Sequence, residues 1–220
     1  MKIDPKTALQ RTDTLMLDMD GTLLDLAFDN YIWQELVPRR YAAARDMSFE
    51  AAREHLFDQY RLVQGDLEWY CLDHWSERLG IDVMQIHHDV NHRIGYLPGA
   101  LNFLRRVREQ DTRVLLVTNS HPDTLALKDA VTGLGDYFDG VFSSHHYGHA
   151  KESQAFWRAL QDDVGFDIET TLFVDDSQPV LQSAQEYGVT MLVTVTRPDT
   201  TKSVVRGSDF RGVEAVADML

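Results

Sequence analysis

Thr14-Leu15-Met16-Leu17-Asp18-Met19-Asp20-Gly21-Thr22 is the stretch from which the rest of the chain is read. A short apolar run closes on two acids and a glycine, the pattern of a buried strand that ends in a tight turn. Side chains two apart in extended backbone point the same way, so Asp18 and Asp20 face one reacting group. Gly21 lets the backbone turn sharply after them.

Three runs further along have the same character: Arg113-Val114-Leu115-Leu116-Val117-Thr118, Thr171-Leu172-Phe173-Val174-Asp175 and Thr190-Met191-Leu192-Val193-Thr194-Val195. Gly140-Val141-Phe142-Ser143-Ser144 is a weaker fifth. Helical punctuation separates them. Pro122 suits a first turn and Gly133 a stop, while Ser177 and Gly188 bracket about ten helical residues. Strands apolar throughout that alternate with helices imply an α/β fold with a parallel, Rossmann-like sheet covered on both faces. In such sheets ligands bind beyond the carboxyl ends of the strands.

Residues 26–96 read differently. Their periodicity is helical, as in Trp69–Leu79 before Gly80, and they hold three of the four tryptophans, Trp33, Trp69 and Trp75. The expected organisation is therefore a core of residues 1–25 and 97–220 with a helical insert at 26–96 between the first strand and the rest of the sheet.

The sequence has 220 residues, 44% hydrophobic and 25% charged, so it can bury a substantial core. Its apolar runs stop at four residues, as in Val114–Val117, against about 20 for a membrane span. No secretory signal is readable behind Met1, and the expected compartment is the cytoplasm. With 21 basic against 35 acidic residues the net charge is −14, which disfavours nucleic acid and anionic membrane as partners. The single cysteine, Cys71, reads as a small buried hydrophobe.

What stands at the strand ends carries the chemistry. The first closes on Asp18 and Asp20, the second on Thr118-Asn119-Ser120, and the fourth on Asp175-Asp176-Ser177, while Lys151 follows the third. In a parallel sheet these converge. Like unit charges roughly 4 Å apart repel by about 4 kcal/mol at an effective dielectric near 20, so four carboxylates and one ammonium need a cation. An all-oxygen, carboxylate-rich cluster suits Mg²⁺. Thr118 and Lys151 suit phosphate oxygens. A carboxylate with a pKa of about 3.9 is already ionised at neutral pH, so Asp18 needs no base to attack phosphorus. Asp20 would protonate the leaving alcohol and then activate water.

In order and type these residues resemble the haloacid dehalogenase (HAD) superfamily of phosphohydrolases. Asp18–Thr22 is similar to its first motif, Thr118-Asn119 to its second, Lys151 to its third and Asp175-Asp176 to its fourth. The resemblance implies a HAD core with an inserted α-helical cap, a nucleophile at Asp18 and an acid/base at Asp20. It further implies phosphate binding by Thr118, Asn119 and Lys151, and Mg²⁺ held by Asp18, the Asp20 carbonyl, Asp175 and Asp176. Glu152 stands where many relatives have proline, and Asp175 where many have glycine. Leu23–Tyr31 and Trp69–Asp73 look most like the bacterial nucleotidases of this superfamily that act on GMP and IMP, which implies a nucleoside monophosphate as the small-molecule substrate. The rival readings are a phosphatase for phosphoglycolate or a sugar phosphate, a phosphomutase, and a non-catalytic phospholigand-binding module.

Some residues stay open at this level. Trp69, Tyr70 and Trp75 are either core or a stacking surface for a base. His88 and His92, and His145, His146 and His149, have no further ligand set readable around them.

Overall fold

The computed structural model describes residues 3–220. Six parallel strands form one sheet in the order β3-β2-β1-β4-β5-β6: β1 Thr14–Leu17, β2 Arg113–Thr118, β3 Gly140–Ser143, β4 Thr171–Asp175, β5 Met191–Val195 and β6 Arg211–Val213. The five expected strands are present, including the weak third. β6 was not expected. Three residues paired only with β5 are too few to show a period of two.

The strands alternate between two buried layers, as a sheet covered on both faces requires. Leu15, Leu17, Val114, Leu116, Leu172 and Val174 pack on one side. Met16, Leu115, Val117, Phe173 and Leu192 pack on the other, against Phe156, Trp157 and Leu160 of the helix Gln154–Val164 and Val180, Leu181 and Ala184 of the helix Gln178–Tyr187. Each fully buried aliphatic or aromatic side chain contributes roughly 1.5–3 kcal/mol.

Between β1 and the helix Ala100–Val107 every regular element is helical. Helical backbone runs from Ala27 to Arg45, with a wider π turn at Ile32–Leu36 in which the Val37 N–H bonds to the Ile32 carbonyl. Pro38 follows at once, and its ring would crowd the carbonyl of Gln34 in a regular helix; the wide turn relieves that conflict. The expected continuous helix around Trp69–Leu79 is instead two pieces, Leu67–Tyr70 and Leu72–Leu79, joined at extended Cys71. The Cys71 Sγ accepts the His74 N–H at 3.5 Å, so this cysteine acts as a helix cap. It is half-buried, which corrects the reading of it as a core hydrophobe.

The helical stretch is tied to the sheet where it leaves and returns. Asp25 N–H bonds to the Gly95 carbonyl at 2.9 Å and Leu97 N–H to the Leu23 carbonyl at 2.8 Å. Beyond β5, Thr200 binds Asp25, and buried Asp199 accepts from the Asn30 amide at 2.7 Å. An amino-terminal helix, Pro5–Arg11, was also not expected; Asp4 caps it, accepting the Thr7 N–H at 3.1 Å. Among the described residues no helix is long and apolar enough to cross a membrane.

Candidate active site

Register brings the strand ends together. Leu17 of β1 lies opposite Leu116 of β2 and Val174 of β4, so Asp18, Thr118 and Asp175 leave the sheet at one edge. The Asp18 N–H continues the ladder to the Val174 carbonyl at 3.0 Å. The chain then folds back, with Leu23 and Leu24 N–H groups both bonding to the Met19 carbonyl at 2.9 Å. Gly21 at the apex has φ 85°, and a β-carbon there would meet the Asp176 carboxylate carbon at 2.6 Å. Both the conformation and the space demand glycine.

Lys151 is the centre of the charge network. Its buried ammonium donates to Asp18 Oδ1 at 2.5 Å, Asp175 Oδ2 at 2.7 Å and the Val117 carbonyl at 3.1 Å, which occupies all three protons. Burial works against this charge, but Asp175 and Asp18 more than offset it and hold the ammonium above its ordinary pKa. Backbone bonds fix the residue: Asn119 Oδ1 accepts the Lys151 N–H at 2.9 Å, and Trp157 Nε1 donates to the Lys151 carbonyl at 2.8 Å. The other end of the Asn119 amide donates to Glu152 Oε2 at 3.0 Å, and the Tyr70 hydroxyl donates to Glu152 Oε1 at 2.6 Å. Glu152 thus uses its position to join the helical stretch to the sheet edge.

Asp18, Asp175 and Asp176 each offer a carboxylate oxygen, and the three lie within 4.8 Å of one another. Asp175 is already engaged, since Oδ1 accepts the Ser177 N–H at 2.8 Å and Oδ2 faces Lys151. Burial, then mutual repulsion, raises the acids. Asp18 is pushed up to about 7 by burial, against the opposing pull of Lys151, with Asp175 and Asp20 adding to the rise. Burial likewise lifts Asp176 well above the carboxylate range, with Asp175 and Asp18 adding to it. The expectation that Asp18 is fully ionised at neutral pH therefore fails for the bare chain: removal from water costs the charged form too much. Crowded oxygens that resist ionisation until a cation arrives are a donor set that fits Mg²⁺.

Asp20 has a partner that the sequence reading missed. The Lys128 ammonium, buried in the helix Pro122–Thr132, donates to Asp20 Oδ1 at 2.7 Å and to Asp29 Oδ1 at 2.8 Å. Burial raises Asp20 to about 6, and Lys128 is the main influence holding it down. The available signal was positional. Lys128 follows Thr124 by four residues on the inward face of the helix, where a charge needs a partner.

All the expected site residues, Asp18, Asp20, Thr118, Asn119, Lys151, Asp175 and Asp176, line one cavity of about 510 Å³. Thr118 Oγ1 accepts the Ser120 N–H at 3.0 Å, which holds the loop beyond β2 in a tight turn. The cavity extends up into the helical stretch, past Trp33, Phe57, Tyr60 and Trp69. Trp75 is fully buried in the core with one face on this space, and Tyr60 packs edge-on to it at 4.9 Å between ring centres. Tyr60 is buried, and its hydroxyl has no hydrogen-bond partner among the described residues. His88 and His92 are exposed; their neighbour His87 is buried, burial lowers it to about 4, and its Nδ1 lies 2.8 Å from the Val83 carbonyl.

The family model of haloacid dehalogenase-like hydrolases matches residues 12–188. The chain is 42% identical over 193 residues to the GMP/IMP nucleotidase YrfG of Escherichia coli (strain K12), covering 88% of this chain and 87% of that protein. Enolase-phosphatase E1 of Marinobacter nauticus is 30% identical over 125 residues, covering 54% of this chain and 53% of that one. Among solved structures, a HAD phosphatase from Thermococcus onnurineus superposes with a TM-score of 0.78 at 18% identity, covering 94% of this chain and 96% of that one. L-2-haloacid dehalogenase from Xanthobacter autotrophicus does so with a TM-score of 0.64, also at 18% identity and the same coverage. These last two likenesses concern the fold.

Proposed function

Given that the chain belongs to the haloacid dehalogenase-like hydrolases, we propose that it is a Mg²⁺-dependent 5′-nucleotidase that dephosphorylates purine nucleoside monophosphates through an aspartyl phosphate on Asp18. The observation that carries the chemistry is the Lys151 ammonium held 2.5 Å from Asp18 and 2.7 Å from Asp175, with Asp176 beside them. The helical stretch at 26–96 acts as the cap over this site.

Asp18 and Asp176 would hold the metal, joined by the backbone carbonyl of Asp20 and by Asp175, whose carboxylate mainly fixes Lys151. When bound, Mg²⁺ neutralises charge on the phosphate oxygens and on the acids. The Asp18 carboxylate displaces the alcohol from phosphorus, so that one P–O bond forms as another breaks. Asp20 gives its proton to the departing oxygen. It then takes a proton from the water that cleaves the aspartyl phosphate, which regenerates both acids. Lys151, exchanging its long bond to the Val117 carbonyl for one to the substrate, the Thr118 hydroxyl and the loop N–H groups around Asn119 bind phosphate oxygens. The Asn119 side chain keeps Lys151 in place.

The nucleotide reading rests on the aromatic end of the cavity and on the nucleotidase named above. Trp33, Phe57 and Trp69 offer faces and edges to a flat base, and the unpaired Tyr60 hydroxyl offers a hydrogen bond there. A panel of phosphate esters, scored by inorganic phosphate release with and without Mg²⁺, tests it. The expected order is GMP and IMP ahead of phosphoglycolate and sugar phosphates. Preference for the small aliphatic esters overturns the nucleotide reading, and turnover of GMP unchanged in EDTA overturns the metal requirement.

A further inference from the structure

Three residues that the reaction does not use meet at the seam between the helical stretch and the sheet edge. Cys71 sits at the joint between the helices Leu67–Tyr70 and Leu72–Leu79, His121 caps the helix Pro122–Thr132 after β2, and His145 lies in the short helix after β3. One ligand atom from each lies within 4.8 Å of the other two. The His121 and His145 rings are 5.0 Å apart between centres. The sequence reading raised His145 as a candidate ligand but neither His121 nor Cys71, because Cys71 is 50 residues from His121 along the chain.

We infer that Cys71, His121 and His145 form a binding site for Zn²⁺ or a similar borderline transition-metal ion, separate from the carboxylate site, that clasps the helical stretch to the core. A thiolate and two imidazoles select zinc over magnesium, which takes oxygen ligands. Ligand atoms about 2.0–2.3 Å from a tetrahedral zinc lie about 3.5 Å apart, so the trio needs to draw in by little more than about 1 Å. Buried Nε2 of His145 has no hydrogen-bond partner among the described residues, and a desolvated imidazole nitrogen without one is costly unless something binds it. His121 Nδ1 accepts the Asp123 N–H in a long 3.4 Å cap, which an ion on that nitrogen would displace, while Nε2 lies 3.8 Å from the carboxylate of Asp73. With the ion on Nδ1 the proton sits on Nε2, on the side of Asp73. Solvent can supply the fourth ligand. A second cavity, of about 430 Å³, is lined by both Cys71 and His145 and gives an ion its route from solvent.

Coordination releases the Cys71 thiol proton to water and leaves a metal–thiolate bond. Since Cys71 adjoins Tyr70, and His121 follows the loop that carries Thr118 and Asn119, an occupied site fixes the cap against the core.

Co²⁺ titrated into the full chain in excess Mg²⁺ tests the assignment. The expected result is a thiolate-to-cobalt charge-transfer band that saturates at one ion per chain and is displaced by Zn²⁺. The band persists in Asp176→Asn and is lost in Cys71→Ser, a substitution that preserves the helix cap. His145→Gln weakens binding by about tenfold or more. As a second readout, Zn²⁺ slows alkylation of Cys71 in the wild-type chain but not in His145→Gln. Absence of the band, or equal cobalt uptake by wild type and Cys71→Ser, overturns the site.

Discussion

The Lys128 ammonium lies 2.7 Å from Asp20 Oδ1, from a helix that joins the sheet more than a hundred residues later in the chain. It is almost fully buried, and the same ammonium also holds Asp29. The acid/base proposed for the reaction is therefore part of a buried ion network. Its pKa near 6 reflects burial partly offset by that lysine.

Replacing Lys128 by Met strands two carboxylates next to the cavity. Breaking a buried pair from one side costs about 3–5 kcal/mol, and thermal unfolding at pH 8 should report a loss of that order. The loss should shrink toward pH 5, because without the lysine Asp20 rises further and folds protonated. A variant as stable as wild type at pH 8 contradicts the network.

The raised acids set the pH dependence of the metal-free chain. Asp18 moves from an unfolded value of 3.8 to about 7 and Asp20 from 3.8 to about 6, so the folded state holds more protons across that interval. Their contribution to stability is fully present below about 4 and is lost as pH rises toward 7. Unfolding in EDTA should therefore show stability falling from pH 5 to pH 8. Mg²⁺ displaces those protons, so its stabilising effect should grow over the same interval. An effect of Mg²⁺ that is independent of pH contradicts the charge assignment.

Gly21→Ala places a methyl where the Asp176 carboxylate sits and forces an L side chain to φ 85°. A cost of about 1–3 kcal/mol in stability is expected, together with weaker Mg²⁺ dependence of turnover as Asp176 is displaced. Calorimetry and a Mg²⁺ titration of activity check both. Wild-type Mg²⁺ affinity in this variant contradicts the proposed role of Asp176.

Tyr60→Phe removes a hydroxyl that pairs with nothing among the described residues. Stability should hold or rise slightly. The KM for GMP should rise by roughly 2- to 10-fold, the worth of one hydrogen bond, while that for a small phosphate ester stays unchanged. Equal changes for both substrates contradict base recognition at Tyr60.

The sheet was legible because its inner strands are apolar throughout and end on Asp18, Thr118 and Asp175, so local pattern and chemistry coincide. β6 was not, since three edge residues carry no period, and neither was the break at Cys71, where helical sequence continues on both sides. The convergence of Asp18, Lys151 and Asp176 followed from parallel topology alone. Lys128 and Glu152 did not follow, because their partners Asp20, Asn119 and Tyr70 come from other elements and only tertiary packing brings them close. Burial also reversed one expectation: the ionisation of Asp18 depends on desolvation, which its neighbours in sequence do not reveal.

The central claim is the nucleophile. The chain is mixed with GMP labelled in its phosphate in the presence of Mg²⁺, quenched in acid within one turnover, and mapped by peptide. The account predicts label on the peptide that carries Asp18, with both the label and phosphate release abolished in Asp18→Asn. Phosphate release at the wild-type rate by Asp18→Asn, or label on another residue, would contradict it.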